Sequence, residues 1–176
     1  MFETTDIEKR LLDRLPHRIS RANWIEEMRP EVRALTSGSL VGVENAEGAF
    51  IDGHYFASFL AATATIEQIL REQLPDSSDY YYFSTIVTEA EEQDLLGSEA
   101  AARFSDLHEL RNAHVHYRGE KGPSDPAESM LERSTGANER PKRIVKEDAE
   151  LALQCLYEVL EIAKKDIPDG ALPGEK

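Results

Sequence analysis

The residue types best suited to chemistry lie close together, between Leu107 and Arg118. This stretch contains three of the five histidines of the chain, two arginines, a glutamate and an asparagine. An arginine can bind a phosphate through paired N–H donors and stabilise the charge that develops on it. A histidine can take or give a proton near pH 7, and an asparagine can orient either group. These roles suffice for RNA cleavage without a metal, in which the ribose 2′-hydroxyl attacks the adjacent phosphate.

Helical geometry decides which of these side chains share a face. At about 100° per residue, Arg111 and His116 lie about 140° apart around the helix axis. Both can act on one site if the helix ends or loosens near residue 115, if Arg111 reaches across, or if a partner subunit supplies the facing residue. The alternative is structural, with a packed histidine and with Arg111 paired to an acid such as Glu109. One predicted face holds Leu107, Leu110 and His114, bordered by Phe104 and Arg111, and the nearly opposite face holds Glu109, Asn112 and His116.

A metal site is the competing interpretation of the same histidines. His114 and His116 are two residues apart, which places them about 160° apart on a helix and makes them a poor chelating pair. The chain also has no His-Glu-x-x-His motif. We therefore expect neither a metal nor another cofactor.

Composition restricts the classes of protein to consider. The chain has 176 residues, of which 40% are hydrophobic, and this length predicts one domain with its own core. The single cysteine, Cys155, excludes an intramolecular disulfide and a cysteine-rich metal cluster. The absence of a long apolar run and of a signal-peptide pattern predicts a cytoplasmic protein without a membrane partner. The net charge of −14 argues against broad nucleic-acid binding but allows a small basic site.

Hydrophobic periodicity predicts an all-α protein, a four- to five-helix up-and-down bundle. The run 37–43 is predicted as a loop or a short extended piece, and Gly53 as a point where a long helix can break. Residues 119–144 are rich in glycine, proline, serine and charge, which predicts a long mobile loop. The apolar spacing predicts helices over residues 3–15, 46–74, 79–95, 98–117 and 146–166.

These elements predict a simple domain organisation. Residues 1–45 form an N-terminal helical extension, residues 46–167 form the bundle with the loop at 119–144, and residues 168–176 form a frayed tail.

The hexapeptide Arg111–His116 (Arg-Asn-Ala-His-Val-His) resembles the motif of the HEPN superfamily (higher eukaryotes and prokaryotes nucleotide-binding). That motif is an arginine, often followed by a polar residue, with a histidine four to six residues later, at the end of the penultimate long helix of a helical bundle. Here the gap is four residues and the residue after the arginine is Asn112. The resemblance covers about residues 46–166, and the hexapeptide gains specificity from its place in the helix order.

The resemblance implies a function as well as a fold. Active HEPN domains are metal-independent endoribonucleases of toxin–antitoxin and antiviral-defence systems. They commonly form homodimers, which bring two motifs into one cleft. Arg111 and His116 would be the catalytic pair and Asn112 the polar accessory. The alternative implied by other members is a non-catalytic interaction or nucleotide-binding module.

Further residues around the motif have implied or chemical roles. Glu109, His114, Tyr117 and Arg118 are accessory candidates, and His114 offers an alternative pairing with Arg111. In HEPN toxins that have a nucleotidyltransferase-type antitoxin, a tyrosine often lies two places after the histidine. Here Tyr117 follows His116 directly and Arg118 takes that place. The candidates for RNA contact through a basic strip are Arg103 and Lys121.

Overall fold

A computed structural model describes residues 6–31, 35–74, 82–115 and 141–165 of the chain. The all-α prediction is confirmed, since these residues form helices and short connections without a strand. They hold six helices, which is more than the four or five expected. None of the described helices is long and apolar enough to cross a membrane. The helices are α1 (Asp6–Met28), α2 (Ser37–Asp52), α3 (Tyr55–Gln73), α4 (Phe83–Glu92), α5 (Ser98–Val115) and α6 (Pro141–Lys165).

The run 37–43, predicted as loop or extended chain, is the beginning of α2 instead. Thr36 starts this helix because its side-chain oxygen accepts a hydrogen bond from the backbone N–H of Ser39 at 3.2 Å. Such a cap satisfies one of the donors that a helix start leaves without a partner. The predicted boundary at residues 45 and 46 therefore falls inside one continuous helix.

The predicted helix 46–74 is two helices, and the break lies at Gly53 as the sequence indicated. Gly53 has a φ of 80°, and its N–H donates back to the carbonyl of Phe50 at 2.9 Å. A glycine adopts this left-handed conformation without steric cost, which ends α2 and reverses the chain. The hydroxyl of Ser58 then donates to the carbonyl of Ala46 at 2.8 Å and joins α3 to α2.

Other helix boundaries also differ from the predicted ones. α1 was expected to end at residue 15, yet it continues through Pro16 to Met28. Its second half is stabilised by packing, because Ile25 is buried and the ring of Trp24 lies 5.1 Å from that of Phe50. α6 begins at Pro141, so the last four residues of the predicted loop 119–144 are helical. The rest of that loop and the tail 168–176 lie outside the described residues.

α3 is the central helix of the bundle. It contacts α2, α4, α5 and α6, whereas α1 packs on α2. Large apolar side chains fill the spaces between these helices. Burying each of them away from water contributes roughly 1.5–3 kcal/mol. This packing fixes α5, the helix that carries the candidate site, between α3, α4 and α6. The fully buried side chains include Phe50, Phe59, Ile66, Phe104, Leu107, Leu153 and Leu156.

Candidate functional site

α5 buries the face that its sequence predicted. Phe104 and Leu107 are fully buried, Leu110 is half-buried, and the side chain of His114 is 7% exposed. Arg111 lies at the border of this face and is half-buried. The candidate residues of α5 therefore divide between an inward position, held by His114, and a border position, held by Arg111.

His114 is part of a closed contact between three helices. Its Nε2 lies 3.0 Å from Oδ2 of Asp148 in α6, and the Asp148 side chain is 3% exposed. The rings of Phe56 and Phe59 in α3 meet the imidazole edge-on, with centroids at 5.8 and 5.2 Å. Paired groups this deeply buried join helices together but cannot reach a large substrate such as RNA. The geometry makes His114 a structural residue.

A second chain of contacts runs along the outer border of α5. The amide Nδ2 of Asn112 donates to Nε2 of His108 at 2.9 Å. The imidazole of His108 is stacked on the ring of Phe83 in α4, with centroids 5.0 Å apart and planes 14° apart. Nη1 of Arg111 in turn donates to Oδ1 of Asn112 at 3.4 Å. These contacts connect α4 to the guanidinium of Arg111.

Arg111 lies at a narrow cleft of about 20 Å³ between α3, α4 and α5. The described residues that line this cleft with Arg111 include Thr63, Glu67 and Phe83. Glu67 pairs with Arg71 one turn along α3, at 2.9 Å. Among the described residues, Arg111 forms no ion pair. Its guanidinium therefore keeps donors that can bind an anion.

The other candidate residues in the described chain are less suited to bind phosphate than Arg111. Arg103 lies between two carboxylates, at 2.9 Å from Glu99 and 2.9 Å from Glu158, so its charge is already neutralised. The hydrogen bond that Arg103 donates to the Glu158 carboxylate is the main cause of the raised pKa of Arg103. Glu109 is exposed. The remaining predicted site residues, His116, Tyr117, Arg118 and Lys121, lie outside the described residues.

A further polar cluster joins the end of α1 to α2 and α6. Oε1 of Glu47 in α2 lies 3.1 Å from Nε of Arg29 and accepts a hydrogen bond from the Tyr157 hydroxyl at 3.1 Å. Glu47 is 6% exposed, and this burial raises its pKa despite the nearby guanidinium. Burial likewise raises the pKa of Tyr157. The side chains of this cluster bond to one another across helices, so the cluster holds those helices together.

Two other classes of site are not supported in the described part of the chain. No group of three or more His, Cys, Asp or Glu side chains there could hold a metal ion. Cys155 is buried, and this burial raises its pKa to about 12, which keeps it a thiol at neutral pH. A thiolate is the nucleophilic form of cysteine, so Cys155 is an inert core residue.

Sequence reasoning did not assign the side chains that contact Asn112 and His114. His108 and Asn112 are four residues apart, a spacing that predicts contact on a helix and could have identified the pair. Asp148 and Phe83 could not be assigned this way, because their contacts to α5 depend on how the helices pack.

Comparisons with protein-family models, with curated proteins and with solved structures found no match to this chain. The site is therefore interpreted from its own geometry and from the motif.

Proposed function

We propose that this chain is a metal-independent endoribonuclease of a toxin–antitoxin or antiviral-defence type. The observation that carries the proposal is the state of Arg111, which lies at a cleft without a carboxylate partner among the described residues. A structural arginine at such a position is normally paired with an acid, whereas a phosphate-binding arginine must have donors to offer.

The proposed reaction needs one cation and one group that moves protons. Arg111 binds the scissile phosphate and stabilises the charge on its non-bridging oxygens. His116 removes the proton from the ribose 2′-hydroxyl, whose oxygen then attacks the phosphorus. The bond from phosphorus to the 5′-oxygen breaks, and that oxygen takes the proton back from His116. The products are a 2′,3′-cyclic phosphate and a 5′-hydroxyl.

Asn112 and His108 act as positioning residues in this proposal. The Asn112 amide bonds to both Arg111 and His108, and the imidazole of His108 is stacked on the ring of Phe83. A guanidinium held by such contacts loses less side-chain entropy when it binds phosphate.

The remaining parts of the proposal depend on the resemblance to HEPN domains. They are a homodimer in which two motifs share one cleft, RNA as the substrate, a cognate nucleotidyltransferase-type antitoxin, and action in the cytoplasm. A shared cleft would also let Arg111 and His116 act on one substrate, although they lie far apart around the axis of α5.

The second candidate function is a non-catalytic HEPN-like interaction or nucleotide-binding module. The contact between His114 and Asp148 favours it, because buried polar pairs of this kind hold helices in register. In that case the motif would serve packing, and Arg111 would bind an anionic group of a ligand or partner without chemistry.

The proposal is tested by incubating end-labelled RNA with purified protein in EDTA and identifying the product termini. We expect 2′,3′-cyclic phosphate products from the wild type and a loss of about 10²–10⁴-fold in rate for His116→Ala. His17→Ala removes an exposed histidine of α1 and is the matched control, expected to cleave like the wild type. Absence of cleavage by folded wild-type protein would support the module instead.

A further inference from the structure

The hydrogen bonds among three side chains of α5 determine where the proton of one histidine lies. The guanidinium of Arg111 can only donate, so the Asn112 atom 3.4 Å from its Nη1 is the amide oxygen Oδ1. That orientation places the amide Nδ2 at 2.9 Å from Nε2 of His108. Because Nδ2 can also only donate, Nε2 of His108 accepts and carries no proton. A neutral His108 therefore holds its ring proton on Nδ1.

A second proton on the His108 ring is incompatible with this arrangement. It would bind to Nε2, and two N–H groups would then face each other across 2.9 Å. A half-turn of the Asn112 amide removes the conflict, because Oδ1 then accepts from the cationic imidazole. The same half-turn places the amide N–H groups against those of Arg111. A cationic His108 therefore cannot keep both hydrogen bonds of the Asn112 amide.

The distances indicate which of the two bonds is lost. Asn112 lies 2.9 Å from His108 but 3.4 Å from Arg111. Hydrogen bonds between a charged donor and an oxygen are stronger when they are short, so the cationic imidazole competes well for Oδ1. Protonation of His108 therefore favours the amide orientation that gives up Arg111.

The surroundings of the His108 ring include groups from α3, α4 and α5. Phe83 of α4 is stacked on the ring and carries no charge. The charged side chains that line the cleft with His108 in the described chain are Glu67 of α3 and Arg111 of α5. The Glu67 carboxylate is paired with Arg71 at 2.9 Å. A proton on His108 thus changes the charge beside the proposed phosphate-binding group.

We propose that a proton on His108 releases Arg111 from Asn112. The neutral Nδ1–H form of His108 orients the amide oxygen toward the guanidinium, and the cationic form turns that oxygen away. The consequence for RNA rests on the proposed function, in which Arg111 binds the scissile phosphate. A released guanidinium loses more side-chain entropy when it binds, so its phosphate contact weakens as the pH falls. This pH dependence is separate from that of His116.

Nitrogen-15 NMR of the side chains tests the inference without RNA. At pH 8 we expect His108 as the Nδ1–H tautomer. As the pH falls from 8 to 5, the range in which histidine titrates, the signals of the Asn112 amide and of Nε of Arg111 should shift with the midpoint of His108. In Asn112→Ala the Arg111 signal should no longer follow His108, because the amide carries the effect. Loss of signals in His108→Gln identifies those of His108.

Cleavage of RNA measures the consequence for the proposed reaction. His108→Gln supplies an oxygen that can accept from the Asn112 amide but removes the titrating ring. The ratio of its kcat/KM to that of the wild type cancels the titration of His116, which both proteins share. We expect this ratio to rise about three- to tenfold from pH 8 to pH 5, the usual effect of one hydrogen bond. His17→Gln removes an exposed histidine and should give a constant ratio.

Each contrary result has a distinct meaning once circular dichroism has shown that the variants keep their helices. An Nε2–H tautomer at pH 8, or Asn112 and Arg111 signals that stay constant while His108 titrates, would overturn the inference. An Arg111 signal that still follows His108 in Asn112→Ala would overturn it too, since charge alone would then explain the shift. Cleavage with a pH-independent ratio would leave the nuclease and overturn the release of Arg111. The expected NMR result in a protein that does not cleave RNA would support the release and refute the nuclease.

Discussion

At the scale of single residues, the two basic side chains of the motif on α5 differ in their surroundings. His114 is enclosed by Asp148 and two phenylalanine rings, whereas Arg111 borders a cleft and bonds only to Asn112 among the described side chains. The residue types indicated chemistry for both positions. The packing of α3 and α6 against α5 encloses His114 and leaves Arg111 half-buried at the border of the buried face.

His114→Ala should destabilise the fold without altering the site directly. The change removes one partner of Asp148, whose side chain is 3% exposed, and leaves a cavity against Phe59. Removing one member of a buried polar pair typically costs about 3 kcal/mol. Urea denaturation measures the free energy of unfolding, with His17→Ala as the exposed control. A loss below about 0.5 kcal/mol would contradict the structural role.

Glu47 should make stability depend on pH in a defined direction. Burial raises its pKa above the ordinary value of 4.5, so the folded state holds this proton more tightly than the unfolded state does. Its contribution to stability is complete below that value and is lost as pH rises through the raised pKa. Glu47→Gln should remove this loss, so the fall in unfolding free energy above pH 4.5 becomes smaller than in the wild type. Identical slopes for both proteins would contradict the assignment.

At the scale of helices, the sequence predicts which segments are helical better than it predicts where they end. The apolar spacing of α3, α5 and α6 identified those helices, since their buried faces follow the helical period. The start of α2 was missed because Ser37 to Val43 contains two glycines and few large side chains. There the helix depends on the Thr36 cap and on close packing against α3, which a single sequence does not reveal.

Two glycines of α2 give a matched test of this packing. A Cβ on Gly42 would lie 2.9 Å from Cγ2 of Thr65 in α3 and closer still to its Oγ1, whereas a Cβ on Gly48 would meet nothing within 4 Å. Gly42→Ala should therefore destabilise the fold by about 1–3 kcal/mol through overpacking. Gly48→Ala should stabilise it by about 0.5–1 kcal/mol, because alanine favours the helix. Thermal unfolding of both variants gives the comparison, and equal effects of one sign would contradict the close approach.

At the scale of the whole molecule, the acidic charge and the proposed RNA site have opposite effects on RNA binding but act over different distances. The chain carries a net charge of −14, which repels RNA at long range, while Arg111 acts within its own cleft. Exposed charges are screened beyond about 8–10 Å at physiological salt, so a local cation can still bind phosphate there. Cleavage should therefore increase from low to moderate ionic strength as this repulsion is screened. A steady decrease from the lowest salt, measured as kcat/KM on one RNA, would contradict this balance.

The most direct test of the central claim is single-turnover cleavage of RNA in EDTA by the wild type and by Arg111→Ala. Arg14→Ala serves as the control, because it removes an exposed arginine of α1. We expect Arg111→Ala to be slower by about 10²–10³-fold, the usual effect of losing a group that stabilises transition-state charge. Arg14→Ala should match the wild type. Equal rates for the wild type and a folded Arg111→Ala protein would show that Arg111 is not the phosphate-binding group.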